Sequence, residues 1–573
     1  MFSSFHEMWV VDFEFTAGSG ENPEPVCLVA MEHFSGRTMR IWRDELLQMA
    51  RPPYSIGNDS LFIAYYASAE ISCHLALGWK LPVNVIDLYV EFRNATNGFT
   101  LPCGAGLLGA LSYFNKPCID AAEKESMRKL VLRGGPWSSS EQRDILLYCE
   151  RDVYSTEVLF REMQNEIDWP RALLRGQYMK AVAEIERNGI PIDTITLEQL
   201  RRNWGTIKKD LIAEVDADYG IYEGETFKMD RFRKWTEQND ISWPRIEATG
   251  NLDLKDETFK EMSLIYPKVA PLRELRSALS QMKLSDLTVG KDGRNRCLLS
   301  PFSSRTGRNQ PSTSHYIYGL SSCWRSLIRP EPGTALAYVD WSQQEFGIAA
   351  ALSGDQKMKE AYSSGDPYLM FAKQARAVPP DATKESHGKE RELFKKCILG
   401  VQYGMAENSL SFRISQPVAK ARELLRLHQE TYRQFWKWMN SVLDYAMLHG
   451  RLWTSFGWTI HIKSDPNPRF LQNFPMQANG AEMLRLGCCL AIERGIKVCA
   501  PVHDAILIEA PLDEIEQAAK ETQRAMADAS AIVLDGFRLN TDAKIIKFPD
   551  RYMDDRGTSM WERVLRILQK HQL

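Results

Sequence analysis

Asp340 lies in Val339-Asp340-Trp341-Ser342-Gln343-Gln344-Glu345 and Asp504 in Val502-His503-Asp504-Ala505. Each carboxylate follows an apolar β-run, Ala335–Val339 and Val498–Val502, which would fix it on a rigid element. Between them the chain reads Arg391-x3-Lys395-x7-Tyr403-Gly404. Mg²⁺ prefers carboxylate oxygens and keeps waters and substrate phosphates as its other ligands, so a few aspartates suffice to hold it. Two such ions, roughly 3.5–4 Å apart, clamp the attacking and leaving oxygens of an in-line displacement. Two carboxylates for metal ions and two cations for phosphates are the equipment of phosphoryl transfer from a triphosphate. A Val-Asp or His-Asp pair alone is common at strand ends. It is the order, with the cationic segment between, that carries the reading.

A second set stands near the N-terminus. Asp12-Phe13-Glu14 puts two carboxylates on one face of a strand, because alternate residues point the same way. Tyr148-Cys149-Glu150-Arg151-Asp152 adds a phenol and a carboxylate one helical turn apart, and Glu70 closes the segment Ala64-Tyr65-Tyr66-Ala67-Ser68-Ala69-Glu70. Metal ions held there would activate water against a phosphodiester. A lone Asp-x-Glu is a weak motif; three pieces in order are stronger.

The elements that must position these groups follow from periodicity. Residues 8–15, MWVVDFEF, suit a buried strand carrying a site. Strand and helix patterns alternate to about residue 165, an α/β arrangement, with Glu141–Met163 as one helix capped from Ser138–Ser140. The pattern breaks at Trp169-Pro170, which places a boundary near 168–175; residues 175–290 are mostly helical and charged. A strand over 334–339, a helix from about 344, helices over 355–450 interrupted by a polar loop at 377–388, and a hairpin over 497–510 with His503-Asp504 at its turn complete the outline. Arg391, Lys395, Leu399 and Tyr403 are spaced by four, and each step of four advances about 40° around a helix. They form one gently winding stripe, with cations at the phosphate end and Tyr403 at the base end. An amphipathic helix with its cations in solvent would read the same, but Gly400 and Gly404 each cost about 1 kcal/mol relative to Ala, which close approach of another surface would explain. From Arg273 to Arg308 eight Lys or Arg (Arg273, Arg276, Lys283, Lys291, Arg294, Arg296, Arg305, Arg308) face three acids, a solvated face or, given its place just before the Asp340 strand, a nucleic-acid track.

In order and wording these pieces resemble the family A DNA polymerases, from about residue 8 to 550 and most specifically between 300 and 510. The resemblance implies an α/β, RNase H-like 3′–5′ exonuclease domain over 1–170, then an α+β right-hand polymerase domain over 171–573. Its thumb would cover about 175–300, the palm about 301–355 and 451–550, and the fingers about 356–450. It implies Asp340 and Asp504 as metal ligands and Lys395 as the phosphate-binding, proton-donating lysine. Arg391, Leu399, Tyr403 and His503 would meet the incoming nucleotide or primer end, and Glu345 would act as a steric gate against a ribose 2′-hydroxyl (a helix N-terminal acid favoured by the dipole is the plain alternative). Arg308 of Thr306-Gly307-Arg308 would contact the primer end, and Arg469, Asn473 and Gln477 the template and primer through the minor groove, where readout is degenerate by base. In the first domain Asp12, Glu14, Glu70 and Asp152 would hold metal and Tyr148 would orient the attacking water. The cofactor implied is Mg²⁺, two ions per site, with Mn²⁺ as a substitute. The partners implied are primer–template DNA and dNTPs, with a processivity factor, helicase or primase left open, and the chain acting as a monomer.

This sequence departs from the family at Leu399, where Phe or Tyr is usual, at Ala505, where a third carboxylate is often found, and at Gln310-Pro311-Ser312-Thr313. Little beyond Glu70 is kept in the middle exonuclease motif.

The bulk numbers set outer bounds. A chain of 573 residues should hold several domains. Its 44% hydrophobic and 25% charged content is ordinary for a globular protein, and a net charge of −3 neither favours nor opposes nucleic acid. Eleven Cys without a CxxC pair read as reduced thiols, and no signal peptide or membrane-length apolar run is seen, so a cytoplasmic location (a host's cytoplasm for a phage protein) is expected. Because the chain starts at the exonuclease motif, a compact phage replicase without a 5′-nuclease domain is the expectation. The alternatives are a repair polymerase with an inactive exonuclease domain, a non-catalytic DNA-binding protein of polymerase fold, and a nuclease whose C-terminal half only grips DNA.

Overall fold

Alternate residues of the first strand serve two different cores. Met8 and Val10 join an apolar cluster with Ile145, Cys149 and Phe160, while Trp9, Val11 and Phe13 join a second cluster with Tyr178 and Met179. The computed structural model describes residues 5–571 except 118–120, 247–248, 281–283, 403 and 464–466. Tyr403, expected to meet the base, and Lys283 of the basic run lie outside the described residues.

The first strand, Glu7–Thr16 (β1), is the centre of a five-stranded sheet. Glu24–Glu32 (β2) and Thr38–Trp42 (β3) extend it antiparallel on one side; Ser60–Ala64 (β4) and Asn84–Asp87 (β5) extend it parallel on the other, in the order β3-β2-β1-β4-β5. Helices Ala67–Ala76 (α1), Leu88–Thr96 (α2), Ala121–Leu132 (α3) and Ser139–Met163 (α4) accompany it. As expected, Ser138 caps α4. Its hydroxyl accepts from the Glu141 N–H and the Glu141 carboxylate accepts from the Ser138 N–H, which satisfies two otherwise unpaired helix-end donors.

Trp169–Asn188 (α5) starts where the pattern was expected to break, with Pro170 in its first turn. It does not separate two bodies. It packs on α1 and β5 on one side and on later strands on the other, and Tyr178 and Met179 sit in the same core as Trp9 and Phe13. Arg175 of α5 makes a buried, two-pronged ion pair to Glu91 at 2.7 and 2.6 Å. Asn97 donates to the carbonyls of Arg305 and Thr459, and Phe99 stacks on His461 with ring centroids 4.4 Å apart.

Beyond α5 come helices Thr194–Asp216 (α6) and Ala270–Ser280 (α7), then the strand Thr334–Trp341 (β6) and helix Gln344–Ser353 (α8). Helices Pro367–Gln374 (α9), Gly388–Gln402 (α10) and Glu407–Ile414 (α11) follow, with 375–387 forming the expected interruption. A small hairpin, Arg451–Trp453 (β7) with Thr459–His461 (β8), leads into the long helix Pro468–Glu493 (α12). The second sheet adds Lys497–Val502 (β9), Ala505–Pro511 (β10) and Thr541–Lys547 (β11), in the antiparallel order β9-β10-β6-β11, backed by Ile515–Val533 (α13). Its register sets Asp340 opposite Ala505 on one side and Asp542 on the other.

The last helix, Thr558–Lys570 (α14), buries Met560, Trp561, Val564, Ile567 and Leu568 against α6 and the segment 322–327. An ion pair from Arg566 to Glu214 and a hydrogen bond between His571 and Asp210 tie it down. The basic run is not continuous as a nucleic-acid track, because three of its members find partners inside the protein. Arg294 is buried against Glu509, Arg296 pairs with Asp292, and Arg276 lies over Phe227 and Phe259. Among the described residues every cysteine is free of a disulfide, and no helix is long and apolar enough to cross a membrane.

Candidate active sites

Asp340 ends the central strand of the second sheet, and Asp504 sits in the two-residue turn between β9 and β10. The turn is left-handed at His503, with φ of +55°. The Trp341 N–H donates to the Asp504 carbonyl at 3.2 Å, so the two aspartates lie on adjoining backbone. Burial, then the carboxylates of Asp504 and Asp542, push Asp340 up to about 6. Burial also raises Asp504, against the pull of its own backbone N–H, His503 and Arg308. Asp542 was not foreseen. Ala505 had left the site apparently short of a third carboxylate, and Asp542 stands beside Asp340 from the opposite strand, accepting a hydrogen bond from Ser342. Only the register of β11 reveals it.

The cationic helix is as expected in one respect and different in another. Arg391, Lys395 and Leu399 are all half-buried on one face of α10, with Phe394, Ile398 and Val401 buried on the other. The glycines answer to neighbours within the chain itself. A Cβ at Gly400 would stand 2.9 Å from Leu410 of α11, and Gly404, at φ of +65°, lies against Arg469 of α12. This contact brings the end of α10 to the start of α12. Arg391 is held by Asp366, which also caps α9, and both Arg391 and Lys395 lie over the Tyr368 ring at 5.5 and 5.9 Å. Among the described residues the salt-bridge partner of Lys395 is Glu392, at 3.9 Å.

Glu345 is in the first turn of α8, raised by burial and opposed by Arg308. Arg308 follows a tight turn in which Ser304 accepts from the Arg308 N–H at 2.7 Å, and buried Arg485 donates to the Gly307 carbonyl. Thus Arg308, Glu345, His503, Asp504 and Asp340 surround one region. Along α12, Arg469 is exposed and Asn473 and Gln477 half-buried, while Leu471, Phe474, Met476 and Ala478 are buried, so the three polar residues form an accessible stripe.

In the N-terminal sheet, Asp12 and Glu14 share the face of Met8 and Val10, toward α4. Ligand atoms of Asp12, Glu14 and Cys149 all lie within 4.8 Å of one another. The Asp12 Oδ2 is buried without a hydrogen-bond partner. Burial, then Asp152, push Asp12 up to about 8, and burial, then Asp12, raise Glu14. Glu70 is buried and raised by the same two causes, and one of its oxygens accepts from the Phe13 N–H at 2.7 Å. Tyr148 is raised by burial, then Asp152. Lys124, which sequence reasoning did not single out, pairs with Asp152 at 2.7 Å. Cys149, quoted only as part of its motif, donates to the Asp12 carbonyl at 3.3 Å. The sequence around these two residues carries no signal for those contacts, which arise from packing α3 and α4 on β1.

Like-charged carboxylates crowded into partly dry sites, one with an orphaned oxygen, are a donor set that fits hard divalent cations.

Residues 311–546 match the model of DNA polymerase family A. The chain is similar to DNA polymerase I of Deinococcus radiodurans, 24% identical over 64% of this chain and 40% of that protein. It is 26% identical to the thermostable DNA polymerase I of Thermus thermophilus over 69% of this chain and 50% of that protein. The chain thus spans about half the length of these curated relatives. Its fold resembles that of the POL domain of Pol1 from M. smegmatis in complex with DNA primer-template and dNTP, with a TM-score of 0.71 and 18% identity over 94% of this chain and 95% of the other. Residues 311–546 thus match DNA polymerase family A, and 94% of the chain shares the fold of that POL domain.

Proposed function

We propose that the chain is a template-directed DNA polymerase that adds dNTPs to a primer 3′ end and carries a 3′–5′ proofreading exonuclease in its N-terminal unit. The observation that carries the first part is the meeting of Asp340 and Asp504 on adjoining backbone, faced by Arg308 and Glu345. In this reading the second sheet is the palm, the helices 356–450 the fingers and residues 175–300 the thumb. Asp340 and Asp504 would hold Mg²⁺, which would supply the charge that an attacking 3′-hydroxyl and a triphosphate need. Arg391, pre-set by Asp366 and Tyr368, receives the outer phosphates. Lys395 holds a proton on Nζ for the departing pyrophosphate. Glu345 fills the space a 2′-hydroxyl would take, and Arg469, Asn473 and Gln477 line the duplex. In the N-terminal unit Asp12, Glu14, Glu70 and Asp152 would hold Mg²⁺ and the Tyr148 hydroxyl would orient water.

A second reading, a polymerase without hydrolysis, draws on two contacts: Lys124 neutralises Asp152, and Glu70 has one oxygen committed to Phe13. Primer extension on a labelled primer–template with Mg²⁺, with and without dNTPs, tests both. Extension with dNTPs and shortening without them is the expected result. Extension alone would favour the second reading, and no extension would defeat the polymerase assignment.

A further inference from the structure

The segment after β11 lies outside the family match, which ends at residue 546. It does more than cover α6. A cavity of about 340 Å³ opens between α7, the loop at 320–325 and the start of α14. Arg273, Arg325 and Arg556 line it, one from each of these three walls, together with the hydroxyl-bearing Ser321 and Ser322 and a single acid, Glu274. Asp554 backs the cavity and pairs with both Arg325 (2.8 Å) and Arg556 (2.7 Å). Glu274 is already countered by Arg563 of α14 as well as by Arg273. Among the described residues Arg273 forms no salt bridge. Three guanidiniums therefore face two carboxylates, and the surplus is positive.

The fit between the walls is close. A Cβ on Gly557 would stand 2.3 Å from the Cys323 backbone nitrogen, so only glycine lets the C-terminal segment reach the loop at this point. That contact fixes the approach of Arg556. The place of the cavity matters as much as its charge. Arg325, Arg308 and Arg556 all bear electrostatically on His503, the neighbour of Asp504. Arg325 also lies over the Tyr318 ring, Tyr318 packs on Tyr552, and Tyr552 packs on Tyr338, two residues before Asp340 on β6, so the cavity lies toward the aspartates, on the α7 side rather than the α10 side. The strand that trails from a reacting 3′ end is the primer, and it offers a phosphate about every 3.4 Å of helix axis. Guanidinium forks match phosphate oxygens in geometry and charge.

We propose that this cavity is a phosphodiester site for the primer strand, completed by Arg556 from the C-terminal segment. The proposal rests on the polymerase reading of Asp340 and Asp504. It makes the tail a working part of the DNA grip.

The test is equilibrium binding of a fluorescent primer–template by the full chain, over a series of salt concentrations, for wild type, Arg556→Ala and Arg273→Ala. Each variant is expected to bind about 3- to 10-fold more weakly and to flatten the slope of log affinity against log salt by about 0.9. Single-nucleotide addition at saturating DNA should stay within about twofold. Arg273→Ala leaves the Asp554 pairs intact, so it separates lost phosphate contact from disturbed packing. A neutral methylphosphonate is then moved through the primer phosphates and, separately, the template phosphates. One primer position should weaken wild type yet leave the Arg556→Ala, Arg273→Ala double variant unaffected. Unchanged affinity and slope in both single variants, or a sensitive phosphate on the template instead, would overturn the site while leaving the polymerase intact. A wild-type chain that neither binds nor extends primer–template would overturn both.

Discussion

The two carboxylate centres differ in how far they are closed. In the N-terminal centre Asp12 is pushed to about 8, a lysine already sits on Asp152, and one Glu70 oxygen is tied to the backbone. In the C-terminal centre Asp340 reaches only about 6, Asp542 is exposed, and Arg308, which bears on Asp504, forms no salt bridge with these carboxylates among the described residues. Burial, the largest cause in both, raises a carboxylate by penalising its charge. The more closed centre therefore depends more on a compensating cation, while the more open one leaves room for a large substrate. On the proposed reading the open centre admits a duplex and a triphosphate and so cannot be dry, whereas the closed one admits a single strand end.

The sharpest way to break the comparison is Asp504→Asn. Losing a metal-holding charge should lower nucleotide incorporation by about 10³-fold or more while single-strand shortening continues. Undiminished incorporation would remove Asp504 from the site. Next comes Asp542→Asn. As a supporting carboxylate beside Asp340 it should cost about 10-fold in incorporation, in line with outer-shell partners of metal ligands; a loss as deep as that of Asp504→Asn would promote it to a ligand. Glu345→Ala should raise ribonucleotide use relative to dNTPs by roughly 10-fold with little change for dNTPs, since one lost steric contact is worth about 1–3 kcal/mol. An unchanged ratio would leave Glu345 a helix-end acid.

The smallest effect is thermal. Asp12 binds its proton more tightly folded than unfolded, so raising the pH from about 4 to 8 costs stability, and the cost is complete above the folded value. Asp12→Asn should therefore raise Tm at pH 8 by about 2–4 °C and flatten the decline between pH 5 and 8. For Asp340 the same window closes near pH 6. Scanning calorimetry of wild type and variant from pH 5 to 8 reads this directly. An equal Tm for the two at pH 8 would mean that burial of Asp12 carries no strain.

What the sequence made legible was what lies close in the chain or repeats with a period. β1, the capping box of α4, the Asp504 turn and the stripe Arg391, Lys395, Leu399 were all readable, because caps, alternation and four-residue spacing are local. What it hid depended on register or packing. Asp542 belongs to the site only because β11 pairs with β6, Lys124 only because α3 lies over α4, and Arg294 left the basic run because Glu509 is waiting for it from β10. Gly400 and Gly404 signalled a close approach, but not which surface approached. The boundary at 168–175 was read as a division, and α5 turned out to be a shared beam.

That beam has a practical meaning for handling the molecule. Trp9, Val11 and Phe13 share a core with Tyr178 and Met179, and a buried Arg175–Glu91 pair crosses the same seam. A fragment cut at residue 170 would present the bare apolar flank of α5 and an unmatched guanidinium to water. Apolar faces of that kind drive aggregation. Single-residue edits such as Asp504→Asn or Asp12→Asn address each centre and leave the shared core whole, whereas scissors are the wrong tool: the chain is built to be edited in place.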